Sequence, residues 1–248
     1  MSRRRLFLVM VVVALVVVCC LVLLPCAQKV RDGESWVGSA VSVKRIAQAF
    51  QNYHEVNGRY PPAVVRDKDG RALYSWRVLL LPYLERDQLY REFRLDEPWD
   101  SPHNQTLLTR MPSCYTAAFF GTPGAEQGLT HYQVLVGPGT AFEREGLTEA
   151  DFPDGLANTL FVVEAARPVL WTQPTDLTYD PDSPLPPLGG PFTKPVHFLC
   201  HEVWRKPGFN AGFGDGSTRF ISSKTDEAVL RALITRNGGE RVDLSRLE

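Results

Sequence analysis

A run of nineteen consecutive apolar residues, from Leu6 to Leu24, is the strongest constraint in this chain of 248 residues. As an α-helix it would be roughly 28 Å long, close to the thickness of the hydrocarbon core of a bilayer. Arg3, Arg4 and Arg5 come directly before it, and flanking positive charge predicts that the N-terminus stays in the cytoplasm. We therefore expect residues 1–27 to be a single-pass anchor in the cytoplasmic (inner) membrane, with the lipid bilayer as partner of Leu6–Leu24 and the rest of the chain outside.

Other fates of this segment fit the sequence less well. A cleaved signal peptide usually has a shorter apolar core and small residues before the cut. Here the apolar run is followed by Pro25 and Cys26, which match such a cleavage site poorly. Lipidation at Cys26 would need a small residue before the cysteine, and Pro25 stands there instead. A retained anchor is the favoured interpretation.

Charge and cysteine content limit the partners of the external part. The formal charge of the chain is −1, and without the three N-terminal arginines it is −4. Because phosphate binding along a nucleic acid needs a basic patch, we expect no nucleic-acid partner. Of five cysteines, only Cys114 and Cys200 lie outside the anchor region. They could form one disulfide in an oxidising compartment, although the sequence does not show that they meet.

The segment 28–58 has the pattern of an amphipathic helix. Apolar residues recur at steps of three and four, and polar residues occupy the opposite side. Asn57-Gly58 is typical of a helix end, and Pro61-Pro62 cannot continue the helix. The apolar side is predicted to consist of Trp36, Val37, Ala40, Val41, Val43, Ile46, Ala47, Phe50, Tyr53 and His54. We call this segment the spine helix.

Residues 59–248 are predicted to form an extracytoplasmic α+β head. A short hairpin over 63–74 is expected to turn at Asp67–Gly70. Ser75 and Ser101 are in position to cap helices at Trp76 and Pro102. Strands follow over 131–136 and 159–165, and a hairpin over 210–221 turns at Asp215-Gly216. A long excursion with eight prolines spans 168–195, and a last amphipathic helix is predicted over 225–236.

No motif in the sequence predicts a reaction. The only histidine and cysteine cluster with metal-like spacing is His197, Cys200 and His201, and no second cluster completes a zinc site. No nucleophile elbow is present, and the glycine-rich stretches do not open a helix after a strand, as a phosphate loop must. We therefore predict no catalytic, cofactor-binding or metal-binding residue, and no enzyme activity.

Four aromatic residues lie in polar or proline-rich surroundings, outside any apolar period. They are Trp99, Trp171, Tyr179 and Trp204. Such residues either form a contact surface for a partner or a glycan, or they fix loops onto the head. The sequence leaves both interpretations open.

Several strings resemble a large planctomycete family of prepilin-like proteins of unknown function. They are LLPCAQKVRD at 23–32, KRIAQAFQNYHEVNGRYPPA at 44–63, SWRVLLLPYLE at 75–85, LDEPWDSPHN at 95–104 and the DG-x-x-NT string at 154–159. The resemblance implies the fold of a type IV pilin or type II secretion pseudopilin: a long N-terminal transmembrane and amphipathic helix packed on a head with an antiparallel sheet and extra helices.

The chain departs from that family at two places. Arg3 stands where a prepilin peptidase expects glycine, and Leu8 stands where filament-forming pilins carry a glutamate. The family's C-terminal motif, a histidine followed after nine residues by Asp-Gly, keeps Asp215-Gly216 but has Arg205 at the histidine position.

Two functions of different classes follow from this pattern. The first is a non-enzymatic, membrane-anchored, pseudopilin-like protein whose spine helix contacts other pilin-like or secretion-system subunits. The second is an anchored extracytoplasmic module that binds a ligand or glycan through the proline-rich excursion and its aromatic residues.

Overall fold

The computed structural model describes residues 38–116, 127–189, 197–198, 201–202, 207–240, 242–244 and 247. The predicted anchor over 1–27 lies outside these residues. Within the described parts, no helix has both the length and the apolar character needed to cross a membrane.

Residues 38–57 form the helix α1, which covers most of the predicted spine helix. It ends at Gly58, whose φ of +67° is left-handed and whose amide donates to the carbonyl of His54 (2.8 Å). A glycine adopts this conformation without a Cβ penalty, so the predicted stop at Asn57-Gly58 is confirmed. One face of α1 is buried through Val43, Ile46, Ala47, Ala49 and Phe50.

The hairpin and helix caps predicted after the spine helix are present. Strands β1 (Val64–Arg66) and β2 (Ala72–Ser75) pair in an antiparallel hairpin. The Asp67 carboxylate accepts the amides of Asp69 (3.0 Å) and Arg71 (2.8 Å), as in an ordinary Asx turn. The Ser75 hydroxyl accepts the amide of Arg77 at the start of α2 (Trp76–Leu79).

The helices of the next segment are short. A 3₁₀ turn, Leu81–Leu84, contains Pro82 and ends at Glu85, which is left-handed with φ +60°. This residue ends the turn, and α3 then covers Asp87–Glu92. Ser101 caps α4 (Pro102–Gln105) as predicted, and the chain then continues in 3₁₀ turns at Leu108–Arg110 and Ser113–Tyr115.

The centre of the head is a four-stranded antiparallel sheet. The remaining strands in chain order are β3 (Leu129–Gln133), β4 (Leu135–Val136), β5 (Leu160–Leu170), β6 (Leu177–Thr178), β7 (His197–Phe198), β8 (His201–Glu202), β9 (Gly208–Phe213) and β10 (Thr218–Ser222). The order in the main sheet is β10-β9-β5-β3. β4 and β6 form a short parallel pair, and β7 and β8 an antiparallel one.

Strand β5 extends into the predicted proline-rich excursion. It reaches Leu170, which pairs with Leu129, whereas the sequence predicted its end near Ala165. Pro168 falls where the register with β3 shifts. A bulge tolerates a residue without an amide hydrogen, so the proline does not end the strand.

Helices cover both faces of the sheet. The helix α5 (Glu227–Ile234) packs with Phe209, Ala211 and Phe213 on one face. On the other face, a Cβ on Gly212 would approach Ala47 of α1 to 2.9 Å. The fold is therefore α+β, with α1 packed on an antiparallel sheet in a pilin-like arrangement, and the predicted fold class is confirmed.

Candidate functional site

The exposed face of α1 is the most distinctive surface of the described residues. It consists of Val41, Lys44, Arg45, Gln48, Asn52, Glu55 and Val56. Val41 and Val56 are 49% and 73% exposed, and in the described part of the chain no other large hydrophobic residue is classed as exposed. The sequence placed Val41 on the buried side, which is wrong. The helix instead presents an apolar residue near each end of a polar stripe.

The opposite face of α1 belongs to the largest hydrophobic cluster. The Phe50 ring lies 5.0 Å from that of Trp76, 5.4 Å from that of Phe142 and 5.6 Å from that of Phe161. Aromatic pairs at such distances add to the free energy of burial. The orientation of α1 is therefore fixed by residues from three distant parts of the chain, and the exposed face has a defined direction.

A buried polar contact fixes the first described turns of α1. The Ser39 hydroxyl donates to the Glu164 carboxylate of β5 and lies 2.9 Å from the Tyr132 hydroxyl of β3. The other carboxylate oxygen of Glu164 accepts the amide of Asn210 on β9 (2.8 Å). Burial, together with the nearby Glu164 carboxylate, raises the pKa of Tyr132, which keeps the phenol protonated and able to donate.

The turn at Asp215-Gly216 borders the exposed face of α1 on one side. The Asp215 carboxylate accepts the amide of Ser217 (2.9 Å), and Gly216 has φ +80°. A Cβ on Gly216 would lie 3.6 Å from Gln51 and 3.7 Å from Gln48. The sequence identified this pair only as a hairpin turn and family motif, and the structure places it against α1.

A polar cleft of about 230 Å³ borders α1 on the other side. Arg45, Gln48 and Asn52 line it from α1, and Arg86 and Cys114 line it from the segments that follow. Burial raises the pKa of the Cys114 thiol to about 11, while the guanidinium groups of Arg86 and Arg45 act in the opposite direction. Both positive charges therefore act on the same buried thiol. We call this feature the arginine cleft.

Two of the four aromatic residues predicted as a contact surface are buried. Trp171 is fully buried, with its indole nitrogen donating to the Leu108 carbonyl (2.9 Å) and its ring against Phe93 and Tyr115. Tyr179 is 3% exposed, and its amide donates to the carbonyl of Val136 (2.9 Å). Of the two interpretations that the sequence left open, the burial of these two residues supports the second: both fix the proline-rich excursion to the head.

The other predicted site residues have different outcomes. Trp99 is half-buried against the main cluster, and its amide donates to the carbonyl of Leu73 (2.6 Å). Trp204 and Cys200 lie outside the described residues. Cys114 is buried, and because Cys200 is not described, a disulfide between the two stays a prediction. The described residues contain no group of three or more histidine, cysteine, aspartate or glutamate side chains arranged to hold a metal ion.

Sequence reasoning missed the buried ion pair between Arg77 and Asp176. The guanidinium Nη2 lies 2.6 Å from the Asp176 carboxylate, and both side chains are almost fully buried. The only signal was a charged residue inside the apolar run that follows Ser75. Its partner is distant in sequence, and no local pattern indicates that distance.

Comparison with known proteins gives a match for one segment of the chain. Residues 41–120 match the model of a family described as "Protein of unknown function (DUF1559)". The matching segment holds most of α1 and all nine residues that line the arginine cleft, and it ends before β3. The search of curated proteins finds no match, and neither does the search of solved structures. The chain is thus similar to this family of unknown function over residues 41–120, which confirms the resemblance predicted from its sequence strings.

Proposed function

We propose that this protein is a membrane-anchored, pseudopilin-like structural or interaction protein that acts outside the cytoplasmic membrane without catalysis. The observation that carries the proposal is the position of α1. One face of the helix belongs to the core of the head, and the other face is open along its length. The apolar stretch Leu6–Leu24 precedes this helix, so an anchor there would hold the open face near the membrane.

The open face of α1 suits contact with another helix. Val41 and Val56 supply apolar contacts about 22 Å apart along the helix axis, at 1.5 Å per residue. Lys44 and Glu55 supply charges of both signs between them. An amphipathic helix with such anchors can dock against the apolar face of a partner helix. Other pilin-like or secretion-system subunits are the proposed partners.

Crosslinking in intact membranes tests this proposal. A photo-crosslinking amino acid at Val41 or Val56 is expected to capture another pilin-like subunit. The same residue at Lys224, which is exposed on the loop before α5, serves as the control and is expected to capture none. Equal capture at all three positions, or monomers only, would refute α1 as the interface.

Mass spectrometry of the mature N-terminus tests the anchor separately. Because Arg3 and Leu8 replace the residues expected in a processed prepilin, we expect no cut after residue 3 and a mature chain that begins at Met1 or Ser2. A mature chain that begins near Ala27 and fractionates as a soluble protein would contradict the anchor.

The second candidate, an anchored ligand-binding module, now has a different basis. Two of the four aromatic residues that supported it, Trp171 and Tyr179, are buried. The arginine cleft favours it instead, because a concave polar site with convergent donors is a common form of binding site.

A further inference from the structure

The arginine cleft brings two positive charges together from different elements. Arg45 lies on the exposed face of α1, and Arg86 follows the 3₁₀ turn that ends at the left-handed Glu85. Both line the same cleft, and both guanidinium groups act on the thiol of Cys114. An anion in the cleft would therefore be near two guanidinium groups from different elements.

Neither arginine forms an ion pair with a carboxylate in the part of the chain that the structure describes. Among the described residues, Arg77, Arg94, Arg110, Arg144, Arg231 and Arg236 each form an ion pair with a carboxylate. Arg45 and Arg86 form none within the described part of the chain, and the one hydrogen bond of the Arg86 guanidinium goes to the neighbouring Glu85 carbonyl (2.8 Å). Glu85 also lines the cleft, yet its carboxylate makes no ion pair with either arginine in these segments.

Neutral donors complete the lining. Gln48, Asn52 and Ser113 line the cleft, and their side chains form no hydrogen bond within the described ranges. The hydroxyl of Tyr83 accepts a hydrogen bond from the Asn57 amide (2.8 Å), so its own hydrogen is available to an acceptor in the cleft. The site thus offers charged and neutral donors together.

We propose that the arginine cleft binds a ligand through an oxyanion group of the phosphate class, carried by a small soluble molecule or by a lipid headgroup. The planar guanidinium group presents several N–H donors that match the oxygens of a phosphate. Two guanidinium groups can together form more charge-assisted hydrogen bonds to one phosphate than a single lysine or arginine can. The volume of about 230 Å³ is below that of a site for a drug-sized ligand. It suits the charged group of a ligand whose remainder extends outward. The site does not require the helix partner proposed above, so either proposal can fail alone.

Titration of inorganic phosphate into the full chain in an uncharged detergent tests the cleft directly. Isothermal calorimetry is expected to show saturable binding at one site. Arg45→Gln and Arg86→Gln are each expected to weaken binding by about tenfold or more, as the loss of a charge-assisted hydrogen bond implies. Glu85→Gln, which removes the one negative charge at the cleft, is expected to tighten it.

Lys44→Gln is the matched control, because Lys44 is the exposed neighbour of Arg45 on the same helix and does not line the cleft. It is expected to change the affinity by less than about twofold. If the Lys44, Arg45 and Arg86 variants all lose affinity equally, or the wild-type chain shows neither phosphate binding nor lipid-dependent protection, the proposal is wrong.

Alkylation of Cys114, followed by peptide mass spectrometry, distinguishes the two sources of the ligand. In nanodiscs of zwitterionic lipid, protection by added phosphate that Arg45→Gln abolishes indicates a soluble ligand. Protection in nanodiscs that contain phosphatidylglycerol, without added phosphate and again dependent on Arg45, indicates a lipid headgroup. Protection that persists in both arginine variants would overturn the site.

Discussion

Arg77 connects several distant segments inside the head. Its guanidinium donates to the Asp176 carboxylate (2.6 Å), to the Tyr132 carbonyl (2.8 and 3.0 Å) and to the Ser75 hydroxyl (2.7 Å). The Asp176 oxygen also accepts from the Trp76 indole (3.2 Å) and from the amide of Val134 (2.9 Å). A buried ion pair of this kind is weak evidence of net stabilisation, but removing one partner is costly.

Arg77→Met is expected to lower the free energy of unfolding by about 3–5 kcal/mol, because Asp176 is left as a buried charge without a counter-ion. The double variant Arg77→Met/Asp176→Asn removes that charge but keeps an oxygen for Trp76 and Val134, and it is expected to regain part of the loss. Urea denaturation of the full chain in detergent measures both. Arg94→Met, in a partly exposed pair with Glu97, is the control and should cost less than about 1 kcal/mol. A double variant less stable than Arg77→Met would contradict this reasoning.

The same pair predicts a dependence of stability on pH. Burial raises the pKa of the Asp176 carboxyl, and the charge of Arg77 is the largest effect opposing that rise. Without Arg77 the folded-state pKa of Asp176 rises further above its unfolded value. An acid with a raised folded pKa binds its proton more tightly when folded, so stability is lost as the pH rises from the unfolded pKa to the folded one.

Arg77→Met is therefore expected to lose stability more steeply than the wild type as the pH rises above about 4, the ordinary aspartate value. Urea midpoints measured across this range provide the test. In Arg77→Met/Asp176→Asn this additional loss of stability with rising pH should be absent, since the titrating carboxyl group has been removed. Parallel profiles for wild type and Arg77→Met would show that Asp176 does not titrate in this way.

Among the contacts between helices and strands, the close packing of α1 on the sheet depends on one glycine. A Cβ at Gly212 on β9 would come within 2.7 Å of the Val162 side chain and 2.9 Å of Ala47 on α1. Real side chains do not tolerate such approaches, so a methyl group here must displace the helix or the neighbouring strand. The absence of a side chain at this position lets α1 approach the sheet closely.

Gly212→Ala is expected to destabilise the head by about 1–3 kcal/mol through overpacking. Combining it with Val162→Ala removes the nearest clash, and the two changes together should cost less than the sum of the separate changes. Thermal unfolding of the full chain, followed by near-ultraviolet circular dichroism, measures both. Additive losses would mean that Gly212 does not limit the approach of α1.

Elements with local causes were predictable from the sequence. The caps at Ser75 and Ser101, the turn at Asp67 and the hairpin at Asp215-Gly216 all depend on residues within a few positions of one another. The arginine cleft and the Arg77–Asp176 pair join residues far apart in sequence, and their residue types are too common to suggest a partner. The sequence left the role of Trp171 and Tyr179 open for the same reason. Their loops look polar locally, and only the fold places them in the interior.

At the scale of the whole molecule, the family segment and the folding unit differ in extent. Residues 41–120 match the family, but this segment lacks all four strands of the main sheet. Phe50 packs against Phe142 and Phe161, and Arg77 pairs with Asp176. The Tyr60 amide donates to the carbonyl of Leu147 (2.8 Å). Each of these partners lies beyond residue 120, so the segment cannot bury its own apolar surface.

A fragment of residues 41–120 is accordingly expected to remain without a cooperative unfolding transition, while the full chain in detergent unfolds cooperatively. A short chain that leaves its aromatic core exposed cannot offset the conformational entropy of folding. Circular dichroism in urea and the dispersion of amide proton shifts are the measurements. A longer fragment of residues 41–240 contains the partners of Phe50, Tyr60 and Arg77, and it is expected to unfold cooperatively. If the short fragment shows a sharp transition of its own, the sheet is not required for folding, and the family segment is an independent domain to which the rest of the head is appended.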